Sequence, residues 1–394
     1  MRLGPGLLCA LGAATAHVIS PKAIMITFYD DEGSAFLTNK TAFDFTARNY
    51  TIPGASPRFP YLHCTADGDA CMMTTGEGMS NAGNSIMALW NLPGSDLRKT
   101  YFVTGGVAGG NPKVISSGSV AFARFTVQPT LEFEIDAREI PAAFSSGYFP
   151  QGGRRPSDAW GTDVYNTEVF AVNAALRDLA LAMVDVRRLA DSAAARAYRL
   201  RYRGDGGGVY AAGAAGPRLV PCDLASSDTW FSGALLGDAF AARSDAWTNG
   251  SARYCATAQE DGAVAAALVR GAGAGRVDFN RLVLMRSISD YDRPYPGQSA
   301  VENLVYADPG SYEPSIANIH LAGVSVLQGI LGAWDSIFQA GIPPRQYTGD
   351  LWGTLGGTPD FGPGRGMPLP EFRRSEKGLT RRSRKGRRIQ RRRG

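Results

Sequence analysis

Between Pro21 and Pro294, short apolar runs alternate with helical stretches, and most of the runs end in polar or glycine-rich residues. Continuous apolar runs such as PKAIMITF (residues 21–28) suit strands buried on both faces, as in parallel sheets. ACMMTTGEGMSNAGNSIMALW (70–90) reads as strand, tight turn and helix. In KTYFVTGGVAGG (99–110) a strand pours into a glycine-rich loop. SGSVAFARFTVQ and LEFEIDARE are β-rich, and residues 167–203 read as one long helical stretch with apolar residues three and four apart. RGDGGGVYAAGAAGPR reads as a flexible insertion. The strand LVPCDLA, the helix after AQEDGA and the strand FNRLVLMRSIS continue the alternation. Such a pattern predicts an α/β domain with a mostly parallel sheet. Ligands of these sheets sit beyond the carboxyl ends of the strands, which makes the polar strand ends the candidate site.

The charge of the whole chain is misleading. Residues 371–394 hold twelve Lys/Arg and two Glu, whereas residues 1–370 hold 29 basic and 34 acidic side chains. The basic balance therefore belongs to a tail and not to a nucleic-acid-binding fold. Residues 367–394 contain too few apolar side chains to fold and are expected to be a disordered tail. The first residues, MRLGPGLLCALGAATA, have an early Arg2, an apolar stretch and small residues before position 16. This is a secretory signal pattern, with cleavage expected near Ala16 and the folded domain spanning 17–366. Removal of Cys9 leaves Cys64, Cys71, Cys222 and Cys255, an even number that suits an oxidising compartment. The expected pairs are Cys64–Cys71 and Cys222–Cys255. Glycosylation sequons start at Asn39, Asn49 and Asn249. The expected location is thus secreted, or a cell-wall or periplasmic-type space. After the signal no stretch of about 18 uninterrupted apolar residues occurs, so no membrane-spanning segment is expected. The three histidines are scattered and neither cysteine spacing is that of a zinc site, so no metal is expected.

Four strand ends carry candidate chemistry. TTGEGMSNA starts a helix, whose free N–H groups could bind an anion. GGVAGG lacks the Gly-Lys-Ser/Thr of a P-loop and is followed by no helix, which excludes both usual phosphate motifs. SSDTWFSG presents Trp230, and SISDYDRP places Asp290 just past an apolar run. In order along the chain, TGEGMSNA, VTGGVAGG, SSDTWFSG, AQEDGA and SISDYDRP resemble motifs of nucleoside phosphorylases and methylthioadenosine nucleosidases. Within that superfamily the chain most resembles the purine nucleoside permease family. The signatures are HCTADG, TTGEG, EIDAREIP, YFPQG, TAQED, SDYDRP and GTLGGTPDFGPG, which reach from His63 to Gly364.

The resemblance implies a three-layer α/β/α fold with a mixed, mostly parallel sheet. It also implies purine nucleosides as ligands, with cleavage of the N-glycosidic bond or, alternatively, non-catalytic binding that supports uptake. Asp290 matches the acid that protonates the purine at N7, a role that needs a raised pKa. Glu260 matches the glutamate that grips the ribose hydroxyls, with Gln259 beside the sugar and Trp230 stacked on the base. Thr75, Gly76, Ala108, Gly109, Gly110, Asn111 and Ser289 fall at the other substrate-binding positions. Thr104 and Val107 fall where phosphorylases carry phosphate-binding Arg and Ser. Water is therefore favoured over phosphate, which remains a possible co-substrate. Asp31 or Glu32, in FYDDEG, falls where nucleosidases activate water. No cofactor is expected, and the relatives' habit of sharing pockets makes a homo-oligomer a possible assembly.

Overall fold

Successive residues of a strand point to opposite faces of the sheet, and the buried runs divide accordingly. The computed structural model describes residues 19–159, 163–205 and 208–363, so the expected leader and the basic tail lie outside the described residues. In β1 (Ala23–Thr27), Ile24 and Ile26 enter one hydrophobic core, while Ala23 and Met25 enter a second. The same split separates Phe102 from Tyr101 and Val103 in β5 (Tyr101–Thr104), and Leu282 and Leu284 from Val283 and Met285 in β15 (Leu282–Tyr291). α2 (Met79–Trp90) and α6 (Asp261–Gly273) cover the first core with Ile86, Leu89, Val264 and Leu268. α1 (Asp30–Thr38), α3 (Ala174–Ala182) and α7 (Tyr312–Gly332) cover the second with Phe36, Leu176, Ile319 and Val326. A sheet between two helical layers results, as expected.

The sheet is parallel at its centre. β4 (Ala70–Thr74), β1, β5, β15 and β6 (Gly106–Gly110) run side by side in one direction. β14 (Tyr254–Ala258) meets β6 antiparallel, and β13 (Asp223–Ser226) and β8 (Phe125–Val127) follow β14 in parallel. The margins are antiparallel: β3 (Tyr61–Cys64) and β2 (Arg48–Thr51) beside β4, β11 (Val169–Ala171) and β16 (Gly349–Asp350) beside β8. β7 (Val120–Ala123) pairs with β15 and with β12 (Leu219–Pro221), and β9 (Phe133–Glu134) pairs with β10 (Tyr148–Phe149) as a separate ribbon.

Three expectations need correction. The segment 167–203 is not one helix. Its aromatic and β-branched start forms β11, and capping side chains restart the chain at Asn173, Asp185 and Ser192, giving α3, a 3₁₀ turn and α4 (Ala193–Leu200). The GGVAGG loop is strand β6, held between β15 and β14. The glycine-rich insertion is tied down on its described side, because the Tyr291 hydroxyl donates to the Gly213 carbonyl and Tyr210 and Ala214 pack into a tyrosine cluster.

Both disulfides form as expected, Cys64–Cys71 and Cys222–Cys255. The second joins β14 to the start of β13 across a sequence separation of 33. Closing a loop of that length restricts the unfolded chain by about 3–4 kcal/mol. Replacing Cys222 and Cys255 together by Ala should lower stability by that order in chemical unfolding, with β13 and β14 still paired in the folded state.

Candidate functional site

The carboxyl ends of β1, β13, β14 and β15 open into one cavity of about 520 Å³, a size typical of small-molecule sites. Glu32 reaches it from the first turn of α1, and Glu260 from the residue that precedes α6. Val107, Ala108 and Gly109 of β6 form part of the wall. Ser289 and Asp290 both line the cavity, although neighbours in a regular strand point apart. The register of β15 against β6 slips between Ile288 and Asp290, which leaves Ser289 as an extra residue. This bulge turns both side chains to the same side. The Ser289 carbonyl is covered by the Ser311 hydroxyl at 2.7 Å and the Ile288 carbonyl by the Ser315 hydroxyl at 2.6 Å, both from the start of α7.

The glycines of β6 provide room. A Cβ on Gly109 would stand 2.9 Å from Asp290 Oδ1 and 3.0 Å from Thr257 Cγ2. A Cβ on Gly106 would stand 2.6 Å from both Arg286 Nη1 and Glu32 Oε1. Neither glycine has a positive φ, so close approach and not backbone twist explains them.

At the base of the cavity one arginine organises the carboxylates. Arg286 donates from Nη2 to Glu260 at 2.7 Å, from Nε to Asp261 at 2.9 Å and from Nη1 to the Val107 carbonyl at 3.1 Å. Its guanidinium lies over the Phe28 ring at 4.0 Å. Glu260 also accepts from the Gly78 N–H at 2.9 Å. Glu32 is buried and accepts from the backbone N–H groups of Phe28 (2.8 Å) and Val107 (2.7 Å). Burial pushes the Glu32 carboxyl up to about 8, against the pull of Arg286 and the two N–H donors. Burial also raises Asp290. The Ser289 hydroxyl, 3.0 Å away, opposes the rise and the Asp292 charge adds to it. Both carboxyls are thus pushed towards their protonated forms, the kind of shift that marks groups able to exchange protons in a cavity.

Most of the expected binding residues meet here. Ala108, Gly109, Gln259 and Glu260 line the cavity with Ser289, Asp290 and Glu32, and Trp230 stands at its rim, 72% exposed. Thr75, Gly76, Gly110 and Asn111 do not line it. Thr75 is buried beneath the turn, and Asn111 bonds to Tyr254 and Lys113. Asp31 also lies off the wall and accepts instead from the Tyr312 hydroxyl at 2.6 Å. At this helix start the N–H groups of Gly78 and Met79 are already taken, by Glu260 and Asp228. Sequence reasoning missed Arg286, Glu77, Tyr29, Tyr312 and Asp308, all on the wall. Only Arg286 had a local signal, a lone charge inside the apolar run LVLMRSIS.

The purine nucleoside permease (NUP) family model matches residues 20–343. The chain belongs to the purine nucleoside permease family. This NUP-family chain is 40% identical to a purine nucleoside permease of Candida albicans over 351 residues, covering 88% of this chain and 84% of that one. It is 34% identical to a probable purine nucleoside permease of Schizosaccharomyces pombe over 324 residues, 80% of this chain and 91% of that one. Among solved structures it is similar to a Streptococcus pneumoniae MTA/SAH nucleosidase in complex with 8-aminoadenine. That likeness has a TM-score of 0.46 and 13% identity and covers 78% of this chain and 98% of the nucleosidase. The match of residues 20–343 includes every strand end that builds the NUP cavity described above.

Proposed function

We propose that the cavity binds a purine nucleoside and cleaves its N-glycosidic bond with water. The observation that carries this reading is Glu32, a buried carboxylate held by the Val107 N–H beside Arg286, with Asp290 on the same wall. A phosphate co-substrate would need free charge-assisted donors. Glu32 occupies the Val107 N–H, and Arg286 is already paired with Glu260 and Asp261. Both facts support water over phosphate.

In this reading Asp290 donates its proton to N7 of the base as the bond from C1′ to the base breaks. Glu260 holds the ribose hydroxyls and favours the positive charge that develops on the sugar. Trp230 stacks on the base. Water attacks C1′ and loses a proton to Glu32, leaving ribose and free base. Each proton transfer contributes about 10²–10⁴-fold.

A second reading is supported by the relatives, which are named as permeases: a nucleoside-binding component that feeds uptake without cleavage. We further propose that the chain is exported through its leader. Its two disulfides and the exposed side chains of Asn39, Asn49 and Asn249 support this.

Chromatography of adenosine, inosine and guanosine incubated with the protein tests the reading. Free base plus ribose is expected, equally with and without phosphate. Ribose 1-phosphate formed only with phosphate would overturn hydrolysis. Binding without base release would favour the uptake reading. The Asp290→Asn chain should still bind and should lose base release by about 10²–10⁴-fold.

A further inference from the structure

We propose that Glu77 and Asp308 form an electrostatic filter at the cavity mouth that admits nucleosides and rejects their phosphorylated forms. The proposal rests on reading the cavity as a nucleoside site. Its titratable walls are lopsided. Glu32, Glu77, Glu260, Asp290, Asp292 and Asp308 face Arg286, the only Lys or Arg among the described lining residues. The carboxylates differ in depth. Glu32, Glu260 and Asp292 are buried, whereas Glu77 and Asp308 are exposed at the open end. Glu77 lies on the turn between β4 and α2, and Asp308 lies on the segment that leads into α7. The two therefore belong to different elements of the rim.

The cations near the site offer nothing to a phosphate. Arg286 is held by Glu260 and Asp261 at the base, and Arg293 is held by Asp292 and Asp238. The Gly78 and Met79 N–H groups at the start of α2 are taken by Glu260 and Asp228. A phosphate group that enters the cavity, or projects from it, must cross the rim without gaining a cationic partner. A doubly charged phosphate about 8 Å from a carboxylate in a water-like environment is repelled by roughly sixfold in affinity per carboxylate. A neutral nucleoside feels no such penalty. The protein then takes its substrate only after a phosphomonoester has been hydrolysed, so a phosphatase-type reaction must come before it.

Adenosine and adenosine 5′-monophosphate are the probes. Their binding to the Asp290→Asn chain is measured by equilibrium dialysis, so that the ligand survives the measurement. In low salt the monophosphate should bind at least about 30-fold more weakly, and the gap should shrink in about 0.5 M salt as the rim charges are screened. Adding Glu77→Gln and Asp308→Asn should lower the ratio of the two affinities by roughly 30-fold. Competition by the monophosphate against adenosine at the native chain, at both salt levels, gives the same readout if that variant fails to fold. Equal affinities in low salt, or a gap unmoved by both salt and the double replacement, would overturn the filter. Absence of adenosine binding to the native chain would overturn the nucleoside reading itself, a result distinct from either.

Discussion

Glu32→Gln should reduce base release by about 10²–10⁴-fold while nucleoside binding persists. Glutamine keeps the size of the side chain but cannot accept the proton of an attacking water. The pH dependence separates this role from a structural one. The native rate profile should carry an inflection near pH 8, where Glu32 gives up its proton, and the residual activity of the variant should lack it. Stability carries the same signature. Burial raises Glu32 from 4.5 to about 8, so the folded state holds a proton that the unfolded state has released. That contribution is fully present below about 4.5 and disappears as pH rises through about 8. The native protein should therefore lose part of its stability between pH 5 and 8, and Glu32→Gln should remove that part of the loss. Matching activities for the two proteins would exclude Glu32 as the base.

The second large effect concerns Arg286. Its side chain is 2% exposed and bonds to Glu260 and Asp261, themselves 4% and 0% exposed. Glu32 shares the same surroundings, and Arg286 draws its pKa down. Replacing Arg286 by Met removes the cation and leaves the carboxylates buried without it. Breaking a buried pair from one side costs about 3–5 kcal/mol, because the remaining charge has nowhere to go. Urea unfolding should show a loss of that size for Arg286→Met. Replacing Glu260 and Asp261 by their amides in the same chain should recover part of it, since the uncompensated charges go as well. A loss under about 1 kcal/mol for the single change would mean that the cluster does not hold the cavity base together.

The alternation of strand and helix was legible because the central strands are buried on both faces and read as unbroken apolar runs. β6 was not. Glycine has little intrinsic tendency towards a strand, and Gly106, Gly109 and Gly110 are held in one by pairing with β15 and β14, at places where neighbouring side chains leave no room for a Cβ. Their crowding partners, Glu32, Arg286, Asp290 and Ile288, are distant in the chain. The choice between Asp31 and Glu32 was open for a similar reason. Both stand in the first turn of α1, and the packing of α1 against α7 sends one inwards and the other to Tyr312. Asp290 was recognisable at a strand end, but the bulge that aims it was not, since nothing in SISDYDRP marks where a register slips.

That bulge bears on what helix α7 can do. By length and composition Tyr312–Gly332 could cross a bilayer, alone among the described helices. In the fold its Ile319, Ala322, Val326 and Ile330 complete the second core, and the Ser311 and Ser315 hydroxyls at its start hold the carbonyls on either side of the bulge. Sending α7 into lipid would strip that core and leave the Ser289 carbonyl without its serine partner. Spanning a membrane and building the cavity are thus competing fates of one segment. A chain folded this way does not have this helix free to serve as a passage.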